Sequence, residues 1–163
     1  MQDARFTDQT AIVTGGADGI GKVVATRLAS EGAQVTIFDI SVANAEATVG
    51  ELAEGGLRAD CEIVDIADEE AVAAAIEAVV ARSANGRLDV VVNCAAIVGP
   101  TSTPITKVSV EEFERTSRIN LLGTFVMTKQ AITMMQLNDY GRVLNFASIA
   151  GKEGNAGMSP YSS

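Results

Sequence analysis

Thr14-Gly15-Gly16-Ala17-Asp18-Gly19-Ile20-Gly21 follows the short apolar run Ala11-Ile12-Val13 and opens the helix-forming run Lys22 to Ser30. An apolar run, a glycine-rich turn and then a helical pattern place this stretch between a first strand and a first helix. Glycine can take positive φ and lets backbone N–H groups come close to an anion, while the helix N-terminus beyond adds partial positive charge. Taken alone, the stretch is either a phosphate cradle or only a tight connection. Groups elsewhere in the chain have to decide between the two.

Outward from the turn, Val23, Val24, Ala25, Leu28 and Ala29 recur at helical spacing, and Gly32 stands where that helix would stop. A second strand reads from Gln34 to Phe38 and ends on Asp39. Ser41 can cap a helix through Leu52 that Gly55-Gly56 terminates. Arg58 to Val64 reads as a third strand ending on Asp65, and Asp68 as the cap of an alanine-rich helix from Glu69 to Ala81. The fourth strand, Leu88 to Asn93, leads into a long loop, 94–108. Ser109 and Glu112 have capping-box spacing at the start of one long helix from Val110 to about Leu137. Arg142 to Phe146 is the fifth strand, residues 147–158 a glycine-rich loop, and Ser159-Pro160 an N-cap followed by proline at the first helical position.

Five strands separated by helices, with apolar rather than alternating strand patterns, predict an α/β fold: a doubly wound parallel sheet of Rossmann type covered on both faces. Right-handed crossovers and a reversal after the third strand give the order 3-2-1-4-5, which puts the ligand crevice at the glycine turn. The 163 residues are expected to form a single dinucleotide-binding domain.

Composition narrows the function. A net charge of −9 argues against nucleic acid and anionic membrane surfaces, so any phosphate has to be held by local backbone groups. No run reaches the ~18 apolar residues of a membrane helix, and no signal pattern opens the chain, so the cytoplasm is the expected compartment. Cys61 and Cys94 read as buried free thiols, and without histidine no zinc set can be completed, so no metal is expected. The absence of histidine also leaves acid–base work to Tyr, Lys, Cys or carboxylates.

Ligands of such sheets sit outside the carboxyl ends of the strands. Asp39 lies eighteen residues after Gly21, near the spacing at which a carboxylate accepts hydrogen bonds from an adenosine ribose. A carboxylate there repels a 2′-phosphate, and Gly16, Ala17 and Asp18 offer no cation to hold one, so NAD is expected over NADP. The plainer reading of Asp39 is a solvated strand end or a helix cap. Asp65 can meet an adenine amino group or cap the next helix. Asn93-Cys94-Ala95-Ala96 has small residues against which a ribose could lie, or is a plain strand exit.

These marks, with Asn120, Ser148 and Tyr161 behind them, resemble the short-chain dehydrogenase/reductase family in order and spacing, over essentially the whole chain but only the N-terminal part of a family member. The resemblance implies a nicotinamide-dependent oxidoreductase that interconverts an alcohol and a ketone, usually as a homo-oligomer. Carried over by position, Gly15, Asp18, Gly19 and Ile20 would contact the cofactor at the glycine turn, with Gly21 allowing close helix packing. Asp39 and Ile40 would hold the adenosine ribose, Asp65 and Ile66 the adenine, and Asn93 and Ala95 the nicotinamide side. Ser148 would hydrogen-bond the substrate oxygen, Asn120 would support a proton relay, and Tyr161, thirteen residues after Ser148, would be the acid–base group. A free phenol has a pKa of about 10 and needs nearby positive charge to act as a base. The family supplies this with a lysine four residues after the tyrosine, two positions past Ser163. The 163 residues alone are therefore expected to bind dinucleotide weakly and turn over little, with a non-catalytic nucleotide-binding fragment as the alternative. Cys94 and Ala96 depart from the asparagine and glycine common at those positions, and both remain small.

Overall fold

Ala11, Ile12 and Val13 are all fully buried, which a strand achieves only when both of its faces are covered. The computed structural model describes residues 4–163 and places this run in β1 (Thr10–Thr14), at the centre of a five-stranded parallel sheet. With β2 (Gln34–Asp39), β3 (Ala59–Ile63), β4 (Val90–Asn93) and β5 (Arg142–Asn145), the order is β3-β2-β1-β4-β5, as the sequence predicts. Register is set by pairs such as Thr14 with Phe38 and Thr14 with Asn93, so the carboxyl ends of the three central strands finish level.

Alternate residues of the strands feed two cores. Val13, Val35, Ile37 and Val92 pack under α1 (Gly19–Ser30) and α2 (Val42–Glu54), with Ala25, Leu28, Ala45 and Leu52 facing them. Ile12, Phe38 and Val91 pack on the opposite face with Val72, Ile76 and Val79 of α3 (Glu69–Arg82). Met127, Ala131 and Met135 of α5 (Thr124–Gln136) complete that core. Each buried aliphatic side chain of this kind contributes roughly 1.5–3 kcal/mol relative to exposure. At the opposite end of the sheet from the glycine turn, the buried Asp89 carboxylate accepts from the Thr10 N–H and the Asn85 amide, both at 2.8 Å, and joins the start of β1 to the segment entering β4.

Several boundaries differ from the sequence reading. The first helix begins at Gly19 rather than Lys22, because the Asp18 carboxylate accepts the Gly19 N–H at 2.7 Å and caps it there. Ser41 stands in the cap position of α2 without a side-chain bond; the Asp39 carboxylate takes the Ser41 N–H at 3.0 Å instead. The single helix expected over 110–137 is α4 (Val110–Ser117), a wider π turn over Arg118–Gly123, and α5. The capping box itself is present, with Ser109 and Glu112 exchanging both bonds. Residues 147–158 are not all loop: Ala150, fully buried, anchors the short α6 (Ala150–Glu153), which Gly154 ends with φ +73. Met158 rather than Ser159 occupies the cap position of α7 (Ser159–Ser162), leaving Pro160 in its first turn.

Candidate functional site

The glycine turn is shaped by two close approaches and one open space. Gly15, with φ +61, donates its N–H to the Phe38 carbonyl at 2.8 Å, and a Cβ there would lie 2.8 Å from the Ala95 Cα. At Gly21 a Cβ would lie 2.1 Å from the Gly15 carbonyl oxygen, so α1 folds directly against its own turn. Gly19 has φ +52, and a Cβ there would meet nothing within 4 Å. The backbone is therefore crowded from behind at Gly15 and Gly21 and open in front at Gly19, where α1 points its N-terminus. This arrangement suits a bound phosphate.

Asp39 ties the turn in place. Its two oxygens accept from the Ala17 N–H at 3.2 Å and the Ser41 N–H at 3.0 Å, while the Thr48 hydroxyl donates to the Ala17 carbonyl at 3.0 Å. A hollow of about 450 Å³ opens over the turn. Gly15, Asp18, Gly19 and Ile20 line it on one side, Asp39, Ile40, Asp65 and Ile66 at the ends of β2 and β3, and Ala95 after β4. These are all the expected binding residues except Asn93. The charged side chains along this hollow are Asp18, Asp39 and Asp65, with no lysine or arginine among them. Lys22, near in sequence, is held by Glu51 at 2.7 Å. Asp65 is exposed and accepts the Ala67 N–H at 2.9 Å, so it also shapes its own turn.

The floor is drawn together by Thr14. Its buried hydroxyl accepts the N–H groups of both Cys94 and Ala95 at 3.1 Å, fixing the exit from β4 against the end of β1. Burial pushes the Cys94 thiol up to about 11, so it stays protonated at neutral pH. Asn93 turns its amide into the sheet: Nδ2 donates to the Asn145 side chain at 2.8 Å and to the Thr128 hydroxyl at 3.3 Å. It lines a second hollow rather than the first.

That second hollow, about 480 Å³, brings together Asn93, Ala95, Asn120, Ser148, Lys152 and Tyr161. It shares Ile20, Cys94, Ala95 and Ala96 with the first, so the two are halves of one cleft across the carboxyl ends of the strands. Asn120 sits in the π turn and pairs with Ile97 both ways: Oδ1 accepts the Ile97 N–H and Nδ2 donates to the Ile97 carbonyl, each at 2.9 Å. The extra residue in the turn holds the amide over the 94–108 segment, and Gly123 leaves room for Ile66 beneath. Ser148, exposed at the end of β5, accepts the Ala150 N–H at 3.2 Å. Tyr161 reaches the hollow from α7. The 94–108 segment and the loop before α7 dock on each other where the Thr103 N–H donates to the Gly157 carbonyl at 3.1 Å. A larger hollow, about 720 Å³, lies on the outer face of α4 and α5 around Phe113, Leu121 and Phe125. It contains none of the expected site residues.

A family model described as short chain dehydrogenase matches residues 9–163. The chain belongs to the short-chain dehydrogenase family. Among its family relatives, a 2-dehydro-3-deoxy-L-rhamnonate dehydrogenase (NAD(+)) from Sphingomonas sp. (strain SKA58) is 40% identical over 158 residues, covering 97% of this chain and 61% of the relative. An NAD+-bound xylitol dehydrogenase structure superposes with a TM-score of 0.91 at 31% identity, over 97% of this chain and 60% of that one. An actinorhodin polyketide ketoreductase structure with NADPH gives 0.88 at 34% identity, over 94% and 58%. The chain thus spans about three fifths of the length of the relatives it matches.

Sequence reasoning gave no role to three members of this short-chain dehydrogenase cleft. Thr14 stood inside the quoted motif, but its hydroxyl gains a task only once β1 and β4 are known to be neighbours. Ile119 lines the first hollow from the π turn, which a helical pattern does not reveal. Lys152 lacks the family spacing from Tyr161, and only the short α6 carries it into the second hollow.

Proposed function

We propose that residues 1–163 are a single dinucleotide-binding domain of an NAD-dependent oxidoreductase that interconverts a small alcohol and the corresponding ketone. The observation that carries this reading is the continuity of the cleft: the glycine turn and Asp39 open onto the same groove as Ser148, Asn120 and Tyr161. NAD, when bound, supplies a hydride acceptor or donor. Gly15, Asp18, Gly19 and Ile20 would hold its pyrophosphate side, Asp39 and Ile40 the adenosine ribose, Asp65 and Ile66 the adenine, and Asn93 and Ala95 the nicotinamide side. The acids at the ribose end, without a cation beside them, support NAD over NADP by like-charge repulsion of a 2′-phosphate.

In the second hollow, Ser148 orients the substrate oxygen through its hydroxyl. Tyr161 takes the proton from that oxygen during oxidation and returns it during reduction. Asn120, anchored on Ile97, supports the path along which that proton leaves. The cytoplasm and a homo-oligomer belong to the same proposal; the apolar side chains Leu121 and Phe125, more than half exposed on the π turn and α5, support self-association. No described helix is long and apolar enough to cross a membrane.

The test is to follow NADH absorbance when the protein encoded by the whole reading frame meets NAD and a panel of polyols, hydroxy acids and other secondary alcohols. At least one alcohol is expected to reduce NAD, and Tyr161→Phe to lower kcat by about 10²–10⁴-fold. Turnover unchanged in Tyr161→Phe would remove that residue from the chemistry.

A further inference from the structure

Asn85-Gly86 is the one Asn-Gly pair in the 163 residues, and it stands in the turn between α3 and β4. Glycine has no Cβ to shield its backbone nitrogen, so in a flexible chain that nitrogen reaches the preceding side-chain amide readily. The Gly86 nitrogen then loses its proton and bonds to the Asn85 Cγ, the Cγ–Nδ2 bond breaks, and ammonia leaves. Solvent water opens the resulting five-membered imide at either carbonyl and gives aspartate or isoaspartate. Nothing is oxidised or reduced.

The folded turn opposes each step. Asn85 spends both amide protons, donating to the Asp8 carbonyl at 2.7 Å and to the Asp89 carboxylate at 2.8 Å. Its Oδ1 accepts the Arg87 N–H at 3.1 Å and the Thr10 hydroxyl at 3.2 Å. Attack makes Cγ tetrahedral and lifts the amide out of the plane that these four bonds share. The Gly86 N–H is itself held, donating to the Ser83 carbonyl at 3.3 Å.

The product does not suit the corner that the amide builds. Asp89 is fully buried and already pairs with the Arg87 guanidinium at 2.7 Å. A carboxylate at position 85 has no N–H for the Asp8 carbonyl and sets a second negative charge against Asp89, with one guanidinium to serve both. Isoaspartate also lengthens the backbone of the turn by one carbon. We infer that Asn85 is a site of spontaneous amide loss that the folded corner holds shut. Its conversion in an unfolded chain keeps that chain from regaining this fold, which makes unfolding progressively irreversible. The inference is independent of the proposed function.

The test follows the tryptic peptide 83–87, cut after Arg82 and Arg87, by mass spectrometry during incubation in mildly alkaline buffer with and without denaturing guanidinium chloride. Conversion in the folded protein is expected to be at least about tenfold slower, since only the open fraction of molecules reacts. Equal rates in the two conditions, or no conversion in the denatured chain, overturn the inference. The consequence for folding is read from Asn85→Asp and Asn85→Ser, both of which lack the amide while only the first adds a charge. Asn85→Asp is expected to have the lower urea midpoint, or to stay insoluble where Asn85→Ser is soluble. A midpoint at or above that of Asn85→Ser overturns the claim that conversion blocks the fold.

Discussion

Gly21 has no room for even one methyl group, because a Cβ would press to 2.1 Å from the Gly15 carbonyl oxygen, which is backbone and cannot rotate away. Gly21→Ala is therefore expected to destabilise the fold by about 1–3 kcal/mol through a forced backbone shift. The same shift moves the N-terminus of α1 and should weaken NADH binding at least tenfold. Thermal melts and NADH titration of the variant measure both; unchanged values would show that the turn relaxes freely. The spacing of Gly15, Gly19 and Gly21 was legible in the sequence because chain neighbours build the turn. The double acceptance by the Thr14 hydroxyl was not, since it depends on Cys94 and Ala95 arriving from eighty positions away. Asp39 was legible as a strand-end acid, but its hold on the Ala17 N–H appears only when β2 lies beside the turn.

At the scale of elements, the π turn over Arg118–Gly123 is where local pattern reading failed. Helical periodicity averages over several turns, and one extra residue within a continuous helix leaves no mark in it. The sign that could have been used was Asn120 itself, an unfavoured residue inside a helix, which here pairs with both backbone groups of Ile97. Asn120→Ala leaves that half-buried N–H and carbonyl without their partner, at a cost of about 0.5–1.5 kcal/mol for each hydrogen bond lost. Because the bond pins the 94–108 segment, the expected signature is local: faster hydrogen exchange at the Ile97 amide with little change in the core strands. Exchange at Ile97 matching the wild type would mean that the segment is held by other contacts. The capping box at Ser109 and Glu112, by contrast, was legible because both partners lie within one turn of each other.

Across the whole molecule, the order β3-β2-β1-β4-β5 follows from strands alternating with helices, apolar and buried at the centre of the sheet, and from right-handed crossovers, so the sheet could be laid out before its exact ends were known. Glu31 shows what that layout does not contain. Its buried carboxylate closes α1 and meets Arg5 from the segment before β1 and Arg27 from the helix. The Arg5 hydrogen bond, against the opposing effect of burial and with help from Arg27, lowers its pKa to about 2. A carboxyl group whose folded pKa lies below its unfolded value near 4.5 contributes stability that is fully present above that value. The contribution is lost as pH falls toward 2. The gap in urea midpoint between wild type and Glu31→Gln is accordingly expected to be widest above pH 5 and to shrink steadily toward pH 2.5. A gap independent of pH would assign Glu31 a packing role alone.

The proposed preference of the cleft for a dinucleotide without a 2′-phosphate is measured directly by a fluorescence titration with NADH and NADPH. Saturable NADH binding at least tenfold tighter than NADPH, with the difference narrowed in Asp39→Ala, is the predicted result. Equal or tighter NADPH binding, or saturation by neither, would contradict it.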